Sequence, residues 1–267
     1  MATLDGEPAT ADDLLPLALT NLGHFTTFRA DADGTVRGLS RHLDRLVRDC
    51  AAVFGAPLDT DRVRDFVRRA LAERELPCVV RVTVHDPAVD LARPADADAP
   101  RVLVSVRRAG PLLALPAPPL RARSVTYERD LPQVKHTGLF GALHARRAAQ
   151  LAGYDDALFV GRDGYVTEGA TWNVGFIDRD GTVLWPRSGV LPGVTTALLR
   201  EHAPPSAQHR AADLTLEDAR VMEAAFATNA GIGVRPLSAI DGTEFAAEHP
   251  LLDRLREAYL SIPGEVL

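Results

Sequence analysis

The sequence predicts an α+β protein of two lobes. Three observations carry that reading: strand alternation and helical periodicity share residues 1–110, a proline-rich stretch occupies 111–120, and a longer mixture of short strands and helices fills 121–267. In the smaller first lobe, "GHFTTFRADADGTVRGL" (Gly23 to Leu39) reads as two short strands around an Asp-Gly turn. Ser40 then stands as a helix N-cap, and Leu43, Leu46, Val47, Cys50, Val53 and Phe54 recur at helical spacing until Gly55. Val63, Phe66, Val67, Ala70 and Leu71 mark the apolar face of a second helix. "VVRVTVH" from Val79 and "RVLVSVR" from Arg101 alternate as strands, with a polar, Pro-containing surface loop between them. Nothing ahead of Leu22 reads as a strand.

The stretch from Gly110 to Leu120 holds four prolines and no periodicity, which makes it the expected lobe-to-lobe connection. In the larger lobe, helices are expected from about Leu139 to Ala152, Val194 to His202 and Leu251 to Leu260. "DALFV", "YVTEGATWNVGFI", "TVLW", "EAAFAT" and "VRPLSAI" are the expected strands. No internal repeat is present, and the cleft between two such lobes is the expected place for chemistry.

Composition narrows the function. Hydrophobic and charged contents of 46% and 25% are those of an ordinary globular protein. The net charge of -6, with no basic run, argues against a nucleic-acid surface and leaves small molecules as the expected partners. Cys50 and Cys78 lie in apolar segments without metal-ligand spacing, so both read as buried, reduced residues and no metal is expected. The acidic N-terminal stretch is not a secretory signal, and no window approaches a membrane span, so a cytoplasmic location is expected.

Lys135 is the most informative residue, because it is the only lysine among 30 Lys and Arg residues. A guanidinium stays protonated, whereas a lysine amine can lose its proton and attack a carbonyl. An arginine-biased chain would also leave one surface lysine, so the neighbourhood decides. Lys135 sits in "LPQVKHTGLF", just before a helix start, where its amine can project from a strand end. A nucleophilic lysine needs a carbonyl partner, and pyridoxal phosphate is one that stays bound. Glu168, in the apolar "GYVTEGATWNV", is expensive to bury without a partner, and a protonated pyridine nitrogen would be one; a half-exposed glutamate at a turn is the alternative. "LPGVTT" offers a glycine turn running into a helix start at Val194 and Thr195, whose backbone N–H groups suit an anion. Arg45, in "HLDRL" on the polar side of its helix, could clamp the same phosphate or simply be solvated. Arg107 and Arg108 at a strand end, and Arg129, are candidates for a substrate carboxylate.

The order "HLDRL", "VKHTGLF", "GYDDALFVGRDGYVTEGATWNV", "LPGVTT" and "FATNAGIGVRPLSAIDG" resembles the class IV aminotransferases, the fold-type IV pyridoxal-phosphate enzymes, over roughly Gly23 to Gly242. That group includes branched-chain and D-amino acid aminotransferases and 4-amino-4-deoxychorismate lyases. The resemblance implies a fold of the D-amino acid aminotransferase type with pyridoxal 5'-phosphate in the interlobe cleft. It makes Lys135 the lysine that binds the cofactor and catalyses, and Glu168 the partner of the pyridine nitrogen. Arg45, Val194 and Thr195 become phosphate contacts. Thr228, Asn229 and Ala230 become a turn beside the phosphate and the substrate carboxylate, with Phe25 and Arg107 on the substrate. Two departures bear on substrate: Phe140 stands where branched-chain members carry tyrosine, and "FTTFR" and "TNA" look more like the lyases. The implied activity is ping-pong transamination between an amino donor and a 2-keto acid; the alternative is a lyase releasing pyruvate. A homodimer, with a loop of one small lobe closing the other subunit's pocket, is implied as well.

Overall fold

Two units emerge from the chain, and each is assembled from segments that are not contiguous in the sequence. The computed structural model describes residues 2–110, 118–203 and 207–267. Unit 1 comprises Met1–Leu112, Val134–Gly138 and Pro263–Leu267; unit 2 comprises Leu113–Gln133 and Leu139–Ile262. The expected division at 1–110, 111–120 and 121–267 therefore changes, since the Lys135 segment joins the first unit and not the C-terminal one. Of the expected linker, residues 111–117 lie outside the described residues, and Leu120 already opens a strand.

Unit 1 contains β1 (Ala2–Leu4), β2 (Glu7–Pro8), α1 (Ala11–Thr20), β3 (Gly23–Ala30), β4 (Thr35–Val36), α2 (Leu39–Phe54), α3 (Thr60–Leu71), β5 (Cys78–His85) and β6 (Arg101–Arg108). Its antiparallel sheet runs β2-β1-β6-β5-β3. Alternation gives the sheet two chemically different faces. Phe28, Ala30, Val80, Val82, Val84, Val102 and Val104 form one core with Leu39, Leu43, Leu46, Cys50 and Phe54 of α2 and Val63, Phe66 and Val67 of α3. The register Phe25↔Thr83, Thr27↔Arg81 and Arg81↔Ser105 gathers the residues of the opposite, more polar face. Both cysteines are buried and free.

Two local expectations are corrected. An N-terminal hairpin does precede Leu22: β1 and β2 pair around Asp5 and Gly6, whose φ values of 48° and 88° are the left-handed pair of a tight hairpin turn. Its strands of 3 and 2 residues are too short to show alternation. Ser40 is not the N-cap of α2; Gly38, at φ 67°, precedes the first helical residue. The Ser40 N–H and hydroxyl instead donate to the Glu265 carboxylate at 3.0 and 3.1 Å, so an anion from a distant segment faces this helix start. Glu265 and Val266 pair with β4, and Arg64 and Arg68 donate to the carbonyls of Val266 and Leu267.

Unit 2 contains β7 (Leu120–Thr126), α4 (Phe140–Leu151), β8 (Asp156–Val160), β9 (Val166–Gly169), β10 (Asn173–Ile177), β11 (Thr182–Pro186), α5 (Val194–His202), β12 (Gln208–Ala212), α6 (Leu216–Arg220), β13 (Ala224–Asn229), β14 (Gly233–Ile240), β15 (Thr243–Glu244) and α7 (Pro250–Ser261). The sheet runs β12-β11-β10-β13-β14-β7-β8-β9, β15 pairs with β14, and β9 also pairs with β10 at Glu168↔Asn173, so the strand path returns on itself. "YVTEGATWNVGFI" thus becomes two strands. The turn between them is tight because a Cβ at Gly169 would collide with the Trp172 indole, whose Nε1 donates to Asp156 at 2.8 Å. Phe226, Trp185 and Val234 pack with Leu198 and Leu199 of α5 and Leu251, Leu252 and Leu255 of α7. Among the described residues, no helix is long and apolar enough to cross a membrane.

Candidate active site

Lys135 owes its place to an isolated antiparallel bridge that the sequence does not advertise. His136 bridges antiparallel to His24, the Lys135 carbonyl accepts the Phe25 N–H at 2.8 Å, and the Thr137 N–H donates to the Gly23 carbonyl at 2.9 Å. Residues 135–137 therefore extend β3 at its outer edge. Gly23 is required by the neighbour on its other side, β5, where a Cβ would sit 2.7 Å from the Val84 carbonyl oxygen. Lys135 Nζ lies 5.0 Å from the centroid of the Phe25 ring, which is itself buried.

The guanidinium of Arg81 rests on the same ring, 3.6 Å from its centroid, and its Nε donates to Thr83 at 3.1 Å. Burial pushes the Arg81 pKa below its ordinary value, although a guanidinium keeps its charge. Phe25 thus lies within cation–π range of two positive side chains, a local field suited to an anionic group near the amine. Arg107 shares this sheet face by register but is exposed, and Arg108 pairs with Glu75 at 3.3 Å.

Arg45 lies on α2 but is only 6% exposed, so the solvated polar-face position is corrected: it faces inward. Its neighbour His42 is fully buried and exchanges a 2.7 Å hydrogen bond with Thr26. Burial, then the positive charges of Arg45 and Lys135, hold His42 well below the usual histidine range. That places Arg45 and Lys135 in one electrostatic neighbourhood. His24, also buried, is lowered to about 4 by burial, opposed by the Asp49 charge.

In unit 2, Glu168 is 3% exposed on β9. The partner its burial demands is protein: Arg129 Nη1 donates to Oε1 at 3.2 Å, with both side chains nearly inaccessible. Oε2 accepts the Leu191 N–H at 3.1 Å and Asn173 Nδ2 at 3.2 Å. Arg129, a candidate for the substrate carboxylate, therefore fixes an acid. Asn173 also donates to the Leu191 carbonyl at 2.9 Å, and a Cβ at Gly193 would collide with its Oδ1. Asn173 pairs across the sheet with both Glu168 and Thr228, so it joins Glu168, the glycine turn and Thr228 into one row.

Gly193 leads into α5 without a side-chain cap, leaving the first N–H groups of Val194 and Thr195 to other partners. Thr228 is fully buried at the end of β13. The side chain of Asn229 braces its own turn, since Nδ2 donates to the Thr171 carbonyl at 3.1 Å and Oδ1 accepts the N–H groups of Gly231 and Ile232, both at 2.9 Å. Ala230 is half-buried in the same turn. Phe140 is 82% exposed and stacks on His144. Unit 1 therefore gathers Lys135, Phe25 and Arg45, and unit 2 gathers Glu168, Val194, Thr195, Thr228, Asn229 and Ala230. The sequence reading missed Arg81, Asn173 and Asp49. Arg81 had a signal, as the one charge interrupting "VVRVTVH".

The family model for amino-transferase class IV matches residues 23–240. A branched-chain-amino-acid aminotransferase of Pseudomonas aeruginosa is 24% identical over 242 residues, which are 84% of this chain and 77% of that protein. Among solved structures, the branched-chain aminotransferase of Thermoproteus uzoniensis with norvaline superposes with a TM-score of 0.86 at 22% identity, over 97% of this chain and 93% of that one. A hypothetical aminotransferase from Mycobacterium tuberculosis in its PLP-bound form gives 0.82 at 20% identity, over 98% of each chain. The superpositions agree with the expected fold. With the family match running from the strand that carries the lysine segment to the end of β14, the chain belongs to the class IV aminotransferases and is a pyridoxal-phosphate enzyme.

Proposed function

We propose that the protein moves the amino group of a 2-amino acid to a 2-keto acid in two half-reactions, with Lys135 as the catalytic lysine. The residues present fit pyridoxal phosphate. Thr228 Oγ1 is buried without a hydrogen-bond partner among the described residues, and the N-terminus of α5 has no side-chain cap. Lys135 would hold the cofactor through its amine, and Arg45, Val194, Thr195 and Thr228 would bind its phosphate. When bound, the cofactor supplies the electron sink for the charge left on the donor's Cα.

The protein's own groups do the rest. Freed when the donor's amino group takes its place, the Lys135 amine would carry the donor Cα proton to the carbon on the far side of the transferred nitrogen. Glu168, kept in place by Arg129, Asn173 and Leu191, holds a proton at the ring nitrogen. Arg81 orients the substrate carboxylate, Arg107 and the turn at Asn229 and Ala230 add to its binding, and the Phe25 ring keeps water from the amine. The observation that carries this reading is that the sole lysine and the Arg81 guanidinium both lie against the Phe25 ring. In line with the resemblance, we read the enzyme as a cytoplasmic homodimer.

A visible absorption spectrum of the protein supplied with pyridoxal phosphate tests the reading. The expected outcome is a band from the lysine-bound cofactor that bleaches with an amino acid and returns with a 2-keto acid. Absence of any band overturns the role of Lys135. A band that persists while pyruvate is released would assign the lyase reaction instead.

A further inference from the structure

Asp49 stands on α2 with its side chain wholly buried. Its Oδ2 accepts the main-chain N–H of Lys135 at 2.9 Å, and its Oδ1 accepts Nε and Nη2 of Arg48 at 3.0 and 2.7 Å. A carboxylate removed from water is costly unless paired and hydrogen-bonded. A neutral serine or asparagine could accept one N–H without that penalty. What the charge adds is stiffness, because charge-assisted hydrogen bonds are shorter and stronger than neutral ones, and Arg48 keeps the carboxylate from turning away. The opposite side of the same segment is pinned to β3 through the Lys135 carbonyl and the Thr137 N–H. The lysine's main chain is thus gripped by a strand and by a helix, and that helix is seated in the core through Leu43, Leu46, Cys50 and Phe54.

We propose that Asp49 is a positioning residue for Lys135: its carboxylate fixes the main chain from which the amine projects and ties it to α2. The inference rests on the reading of Lys135 as the catalytic lysine. An amine that first holds the cofactor and later moves a proton must return to one place, and a misplacement of about 1 Å lowers a rate by roughly 10²-fold.

The test compares the cofactor-loaded wild type with Asp49→Asn and Asp49→Leu. Asn keeps an acceptor for the N–H but loses the Arg48 ion pair; Leu has similar bulk and no acceptor. The expected result is a kcat that falls from wild type to Asn to Leu, reaching about a 10–100-fold loss, with KM for the donor within about twofold. Two readouts do not need turnover: amide hydrogen exchange at Lys135, and the rate at which an amine-directed ester acylates this sole lysine in cofactor-free protein. Both should rise in the same order. If Asp49→Leu does not fold, Arg48→Met, which keeps the acceptor but releases its tether, should give smaller shifts of the same sign. A wild-type kcat in Asp49→Leu despite faster amide exchange overturns the proposal, as does Asn being as damaging as Leu. Retained turnover in Lys135→Ala would remove the underlying reading instead. An inactive Lys135→Ala beside a fully active Asp49→Leu removes the Asp49 inference alone.

Discussion

Lys135 and Glu168 are held by opposite parts of the residue. The structure secures Lys135 through its main chain, using the Phe25 N–H and the Asp49 carboxylate. Glu168 is secured through its functional group, with both carboxylate oxygens accepting hydrogen bonds from Arg129, Leu191 and Asn173. The difference matches the roles proposed for them. An amine that exchanges partners needs a fixed root, whereas an acid that serves one ring nitrogen needs its carboxylate fixed. Deleting each side chain should therefore have different consequences.

The largest effect is expected at Lys135. Alanine keeps both main-chain hydrogen bonds, so Lys135→Ala should lose turnover by more than about 10³-fold while its urea midpoint stays near that of the wild type. An equally large loss of stability would break the contrast. The side-chain network of unit 2 should behave the other way. Arg129→Met strands a buried carboxylate and should lower unfolding free energy by about 3–5 kcal/mol. Adding Glu168→Gln should recover much of that loss, giving a large coupling in a double-mutant cycle by urea denaturation. Simple additivity would mean that the two buried charges do not depend on each other.

A smaller effect sharpens the comparison within unit 1. His24, which bridges to His136, is buried, and burial lowers its pKa from 6.5 to about 4. Between those values the unfolded chain takes up a proton that the folded protein refuses, so stability falls as pH drops from 6.5 through 4. The loss should reach roughly 3 kcal/mol at the acid end, and His42, lowered in the same direction, adds to it. His24→Leu should flatten the pH dependence of the melting temperature in this window. An unchanged slope would show that His24 is not the titrating group.

How much the sequence disclosed depended on whether one residue sufficed. "DALFV" and the helix from Val194 to His202 appear at the expected bounds, because five buried positions in a row and a glycine-led periodic run are local signals. α1 was illegible: it contains Pro16 and none of its residues is buried. β7 was hidden beside the proline run, and its alternating arginines resemble a surface loop. Lys135 stood out by being unique and Glu168 by the energetic oddity of an acid in an apolar strand. Their supports did not, since Arg129 and Glu168 meet only through the fold, and Asp49 beside Arg48 looks like any charged pair on a helix.

The return of residues 263–267 to the first unit bears on how the protein is made. Synthesis delivers the five-stranded sheet of unit 1 early, yet the segment that presents the lysine is translated later, and the residues that pair with β4 and face the start of α2 follow only after all of unit 2. On the ribosome, unit 1 is therefore begun before unit 2 and completed after it. A nascent chain paused before residue 263 would carry its lysine on a scaffold that still lacks the residues pairing with β4, so the lysine-bearing unit closes only after unit 2 has been made.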